Sequence, residues 1–206
     1  MESRFEVWFP TIWLQFTKYG IRSLSMDELC QHLGISKKTL YASIENKADL
    51  VQKVIDWHYH QEALRYLKIL ESGINAIDNL MDLSQAICKE IYQTNPVLLH
   101  DLQKYYPDIW ASVVDRKRLF YQHLLELNLD QGLQQGLYRL DLDKKVTILL
   151  YVQSFEQFIG TGILPPLTPR CQDVFHVLFE NHIRAITSAD GLAYFETTKN
   201  SYPFNI

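Results

Sequence analysis

Between Ser25 and Ile44 the chain has room for two short helices and one tight turn, and little else. Ser25 precedes Met26 with Glu28 three residues on, the spacing at which a hydroxyl and a carboxylate each satisfy a free backbone N–H. Met26, Leu29, Cys30 and Leu33 then recur at three- and four-residue intervals, which puts one apolar face on a helix of about two turns. Gly34 follows, the residue type best able to take a positive φ after a last turn. Ser36 is a second N-cap, and Lys37 to Ile44 turns Leu40 and Ile44 inward. Asn46 caps a third helix that runs to about Leu70.

Helical periodicity continues along the chain, and no alternating run bounded by turn residues marks a strand. The expectation is an all-α protein of about nine helices, divided at Gly20, Gly34, Glu45-Asn46, Ser72-Gly73, Asn95-Pro96, Pro107, the stretch 128–142 and Pro165 to Pro169. Pro10 is tolerated only if the first helix starts beside it, near Phe9. The bulky Ile12 and Trp13 imply a core packed to suit them.

With 47% hydrophobic and 21% charged residues, composition excludes disorder and fibrous repeats. The longest oily stretch, Val146 to Val152, is too short to span a bilayer. The start Met-Glu-Ser-Arg lacks an export signal, and Cys30, Cys88 and Cys171 are odd in number and far apart, so a cytoplasmic protein with reduced core cysteines is expected. No nucleophile motif, phosphate loop or paired carboxylates point to an enzyme, and no cofactor is implied. His58 and His60 lie two apart on a helix, facing different directions, so no metal is expected there.

The run Phe16 to Gly20, then Ser25 to Cys30, Leu33 to Tyr41 and Asn46 to Leu50, resembles the DNA-binding domain of the TetR family over about 45 residues, in order and in spacing. Gly136 to Asp143, followed by a long apolar helix, is similar to the connection before the family's penultimate helix. The resemblance implies a helix-turn-helix domain (1–47) and a helical ligand-binding and dimerisation domain (48–187), and the segment 188–206, with Gly191, Pro203 and scattered aromatics without periodicity, is expected to be a C-terminal tail, either disordered or lying across the bundle. It implies a homodimeric transcriptional regulator, most simply a repressor, on palindromic double-stranded DNA, released or recruited by a small-molecule effector.

By that resemblance Thr39, Tyr41 and Lys47 fall where the family grips phosphate. Ser36, Lys37 and Lys38 open the reading helix, where free N–H groups and lysine charge attract phosphate and polar side chains reach bases; Ser25 caps the helix before it. Residues 1–56 carry seven Lys or Arg and seven Asp or Glu, so the domain is neutral and a shallow salt dependence of binding is expected. The same neutrality admits another reading, a dimeric helical module that binds a small molecule or protein and has lost DNA binding.

An effector pocket is expected among Tyr106, Trp110, Tyr121, His123, Tyr151 and Phe155, since aromatic walls with polar tips suit an organic ligand. Plain core packing is the competing reading for each. The helices from Val146 to Ile159 and from Val174 to Ile186 are apolar on more than one face, as an interface between two copies requires.

Overall fold

The computed structural model describes residues 5–159 and 169–199, apart from the side chains of 92, 155–159 and 169–175. It divides into two compact units, one of Met1–Leu64 with Thr94–Val113, the other of Arg65–Gln93 with Val114–Ile206. The described residues form ten α-helices and no named strand.

The first unit opens with a 3-10 turn, Glu6–Trp8, and α1, Phe9–Tyr19. Pro10 stands in the first turn of α1, where its missing N–H has no intrahelical partner to lose. Ile12 and Phe16 are fully buried, and the Trp13 ring stacks on His58 at 3.6 Å between centroids, so the bulky residues of α1 are accommodated. α2 (Met26–Leu33) and α3 (Lys37–Tyr41) follow. Between them Gly34 takes φ 65°. The unit also holds the start of α4 (Lys47–Ser72), all of α6 (Pro96–Tyr105) and the start of α7 (Pro107–Gln134).

The unit therefore reaches past residue 47 and includes the segment 94–113. Leu98 and Leu102 of α6 share one core with Phe16, Leu29, Leu40 and Leu50, and that common burial is the physical reason.

The second unit contains α5 (Ala76–Gln93), most of α7, α8 (Lys144–Ile159), α9 (Pro169–Ile186) and α10 (Ala189–Thr198). Its core gathers Leu80, Met81, Leu124, Leu125, Phe179 and Ile183, among others. The stretch from Asn128, rich in poor helix formers and expected to be a break, instead continues α7 to Gln134. The Asn128 side chain donates to the Ala76 carbonyl at 2.8 Å and accepts from the Tyr138 hydroxyl at 2.8 Å. A bonded buried amide removes the usual cost of Asn inside a helix.

The segment from Ser188 is likewise a helix up to Thr198, where a tail was expected. Ser188 Oγ accepts from the Gly191 N–H at 3.1 Å and donates to the Gly136 carbonyl at 2.8 Å. Phe195 is buried in the second core. These contacts, 52 residues apart in sequence for Ser188 and Gly136, are invisible to local patterning.

Candidate functional site

α3 carries the polar face singled out in the sequence. Ser36, Lys37, Lys38, Thr39 and Tyr41 are all exposed, while Leu40 on the opposite side is fully buried. The hydroxyl of Ser36 accepts from the Thr39 N–H at 3.1 Å and meets the Thr39 hydroxyl at 2.8 Å, which fixes the first turn. Lys37 forms an exposed ion pair with Asp27 of α2 at 2.6 Å. Among the described residues no carboxylate pairs with Lys38.

Ser25 is engaged in the reciprocal cap expected of it. Its hydroxyl accepts from the Glu28 N–H at 3.2 Å, and its own N–H donates to the Glu28 carboxylate at 2.7 Å. That second bond is the main reason the Glu28 carboxyl sits below the usual carboxylate range.

Lys47 stands apart from the exposed face. Its ammonium donates to the carbonyls of Ile21, at 2.7 Å, and Leu24, closing the loop between α1 and α2. Partial burial lowers its pKa, opposed by the negative charges of Asp101 and Glu28. In this arrangement it ties the start of α4 to the loop between α1 and α2.

Asp101, which sequence reasoning did not single out, is buried in the same unit and accepts from the Arg22 N–H at 2.8 Å. Gly20 has φ 80°, and a Cβ there would press on Asp101 and Val97 of α6. Asn95 adds a bond from its side-chain amide to the Thr17 carbonyl at 2.7 Å. α6 thus clasps the loop that orients α2 and α3. A lone Asp on an amphipathic helix carries no local signal of such a role.

In the second unit a small cavity lies among Leu80, Leu83, Ser84, Ile87, Tyr121, Leu124, Leu125, Tyr151 and Val152. Its free space is about 30 Å³, enough for one or two waters and too little for an organic ligand without rearrangement. Of the pocket residues expected from the sequence, Tyr121 and Tyr151 line it. Trp110 and Tyr106 do not. They pack against the first unit's core, on the other side of the division at Val113. His123 is exposed, because its neighbours Leu124 and Leu125 take the buried face of α7. The side chain of Phe155 lies outside the described residues. The α5 contribution was overlooked, although Leu80, Leu83, Ser84 and Ile87 follow the i, i+3, i+4, i+7 pattern of one helical face.

Among the described residues no group of three or more His, Cys, Asp or Glu is placed to hold a metal ion. No described helix is long and apolar enough to cross a membrane. Cys30 and Cys88 are buried free thiols, and burial raises the pKa of both; the Cys171 side chain lies outside the described residues.

Residues 14–54 match the family model described as bacterial regulatory proteins, tetR family. Over 92 residues the chain is 28% identical to the uncharacterized HTH-type transcriptional regulator YvaF of Bacillus subtilis (strain 168). That alignment covers 44% of this chain and 48% of the relative, so the chain spans about half the length of the curated protein it matches. A transcriptional regulator from Cytophaga hutchinsonii ATCC 33406 superposes with a TM-score of 0.74 at 14% identity, covering 89% of this chain and 98% of that one. The TetR family transcriptional regulator PfmR from Thermus thermophilus does so at 0.56 and 19% identity, over 88% and 98%. At such identities the structural likeness speaks for the fold, and the matched segment contains α2, α3 and their caps. That segment, which matches the tetR-family model, is carried on an all-helical fold shared with solved transcriptional regulators.

Proposed function

We propose that the protein binds a palindromic operator as a homodimer in the cytoplasm, most simply as a repressor, and that a small-molecule effector held in the second unit modulates its affinity. The observation that carries this reading is the outward face of α3, with Ser36, Lys37, Lys38, Thr39 and Tyr41 exposed on a helix whose first turn is fixed by its own cap. A rigid polar helix end presents side chains to base edges and phosphates with little ordering cost on binding.

Dimerisation is supported by the outer face of α8, where Val146, Leu149 and Leu150 are 48%, 46% and 60% exposed, together with Val177 of α9 at 54%. The first three fall at i, i+3 and i+4, one continuous apolar strip. Val152, Phe179, Ile183 and Ile186 of the same two helices face the core. Light scattering should give twice the chain mass, and Leu150→Glu with Leu149→Glu should shift the protein toward monomer at micromolar concentration. An unchanged dimer in the double variant would place the interface elsewhere.

α4 carries residues of both units in one unbroken helix, and is the element through which an effector would change the spacing of two reading helices about 34 Å apart. Effector and DNA are then reciprocally coupled.

The test is a salt titration of binding to duplex DNA from upstream of the protein's own gene, against random duplex. Saturable, sequence-dependent binding that weakens with salt is expected. One observation favours a dimeric ligand- or protein-binding module without DNA binding: Lys37 is paired with Asp27 and Lys47 is bonded to carbonyls, leaving little free positive charge at the reading face. Binding no better than to random duplex at low salt, with and without candidate effectors, would select that module.

A further inference from the structure

The cavity of the second unit has a lining of one chemical character. Six of its residues are aliphatic, and its polar atoms are the hydroxyls of Ser84, Tyr121 and Tyr151. Among the described residues no Asp, Glu, Lys or Arg lines it. Tyr151 and Ser84 are hydrogen-bonded to each other, and burial holds the Tyr151 phenol well above its usual pKa, hence protonated. His182 stacks on the Tyr151 ring at 3.8 Å between centroids. Its Nε2 is buried and has no hydrogen-bond partner among the described residues. Burial pushes the His182 pKa down to about 4, so the imidazole is neutral at pH 7.

An ionised ligand in such surroundings would lose its hydration with no opposite charge to compensate, a cost of several kcal/mol per ion. An alkyl chain gains about 0.8 kcal/mol for each buried CH₂. A single hydroxyl or carbonyl oxygen would find partners in the hydroxyls of the Tyr151–Ser84 pair that line the cavity. The free space of about 30 Å³ is narrow, so a slim chain that enters by rotation of leucine side chains is favoured over a rigid polycyclic body. We infer that the effector is an uncharged, mainly aliphatic molecule bearing one hydrogen-bonding oxygen, of the chemical class of a medium-chain alcohol, aldehyde or ester. This rests on the reading of the second unit as an effector domain.

Three probes of equal chain length separate the possibilities for the full-length protein: 1-octanol, octanoate and octylammonium, all at pH 7.5. Calorimetric titration should show saturable binding of 1-octanol and a raised unfolding midpoint, where non-specific alcohol effects lower it. Octanoate and octylammonium should bind at least tenfold more weakly. Tyr151→Phe should weaken 1-octanol at least threefold, and Ser84→Ala supplies the same test if the first variant folds poorly. Equal binding of either charged probe, no binding of 1-octanol, or no effect of both substitutions would overturn the inference. Duplex binding is measured on the same preparation. Saturable 1-octanol binding that leaves operator affinity unchanged would overturn the regulatory reading and keep the ligand class, whereas operator binding with no 1-octanol binding would do the reverse.

Discussion

Gly132→Ala should destabilise the protein by about 2 kcal/mol, although the same substitution in an ordinary helix interior stabilises by about 1 kcal/mol. Gly132 lies in α7, and a Cβ built on it runs into the Tyr138 ring. Tyr138 is 1% exposed, and its hydroxyl donates to Asn128 at 2.8 Å with the Ala76 carbonyl at 3.2 Å. The ring cannot retreat without leaving its own hydroxyl and the Asn128 side-chain oxygen unpaired, a further cost of about 1–3 kcal/mol. On the other side Tyr138 is fixed by the backbone, since Arg139 N–H donates to the Ile186 carbonyl and Ser188 N–H to the Leu137 carbonyl, both at 2.9 Å. Urea unfolding of the wild type and Gly132→Ala, repeated in a Tyr138→Leu background, gives the comparison. The penalty should shrink by half or more when the smaller side chain faces residue 132. A gain in stability from Gly132→Ala in the wild-type background would mean that the ring is not held as described.

Lys37→Ala combined with Lys38→Ala should lower operator affinity about 100-fold at 0.1 M salt, if the proposed DNA binding holds. A dimer loses four lysines, and a slope of log affinity against log salt falls by about 0.9 for each phosphate contact removed, hence by up to about 3.6. The loss should be similar on operator and random duplex if the lysines grip phosphate, and larger on operator if they read guanine edges. Lys37 is paired with Asp27 at 2.6 Å, both side chains exposed, so DNA must compete with that carboxylate. Asp27→Asn should therefore tighten binding several-fold and steepen the salt slope. Fluorescence anisotropy across a salt series checks both variants, and a double alanine protein with unaltered affinity and slope would remove α3 from the interface.

These two expectations draw on different kinds of information. The α3 face was legible because capping is local: Ser25 with Glu28, Gly34, Ser36 and Asn46 act within a few residues of where they stand. The same locality misled at the pocket. Tyr106, Trp110, Tyr121 and His123 are close in sequence, but along a helix that rises about 1.5 Å per residue, eleven residues separate Trp110 from Tyr121 by about 16 Å. The division between units falls in that interval, at Val113, and sends the first two to one core and Tyr121 to the other.

By itself the sequence determined the helical class and the two capped helices with their buried and exposed faces, because each depends on contacts within one or two turns. Tertiary structure alone decided that α7 continues through Asn128 and Gly132, that the segment after Ser188 packs as a helix, and that α6 joins the first core through Leu98, Leu102 and Asp101. It also decided which aromatic residues meet at a cavity. In each case the partner lies tens of residues away, and the burial of a polar side chain or ring against that distant partner outweighed the local preference of the chain.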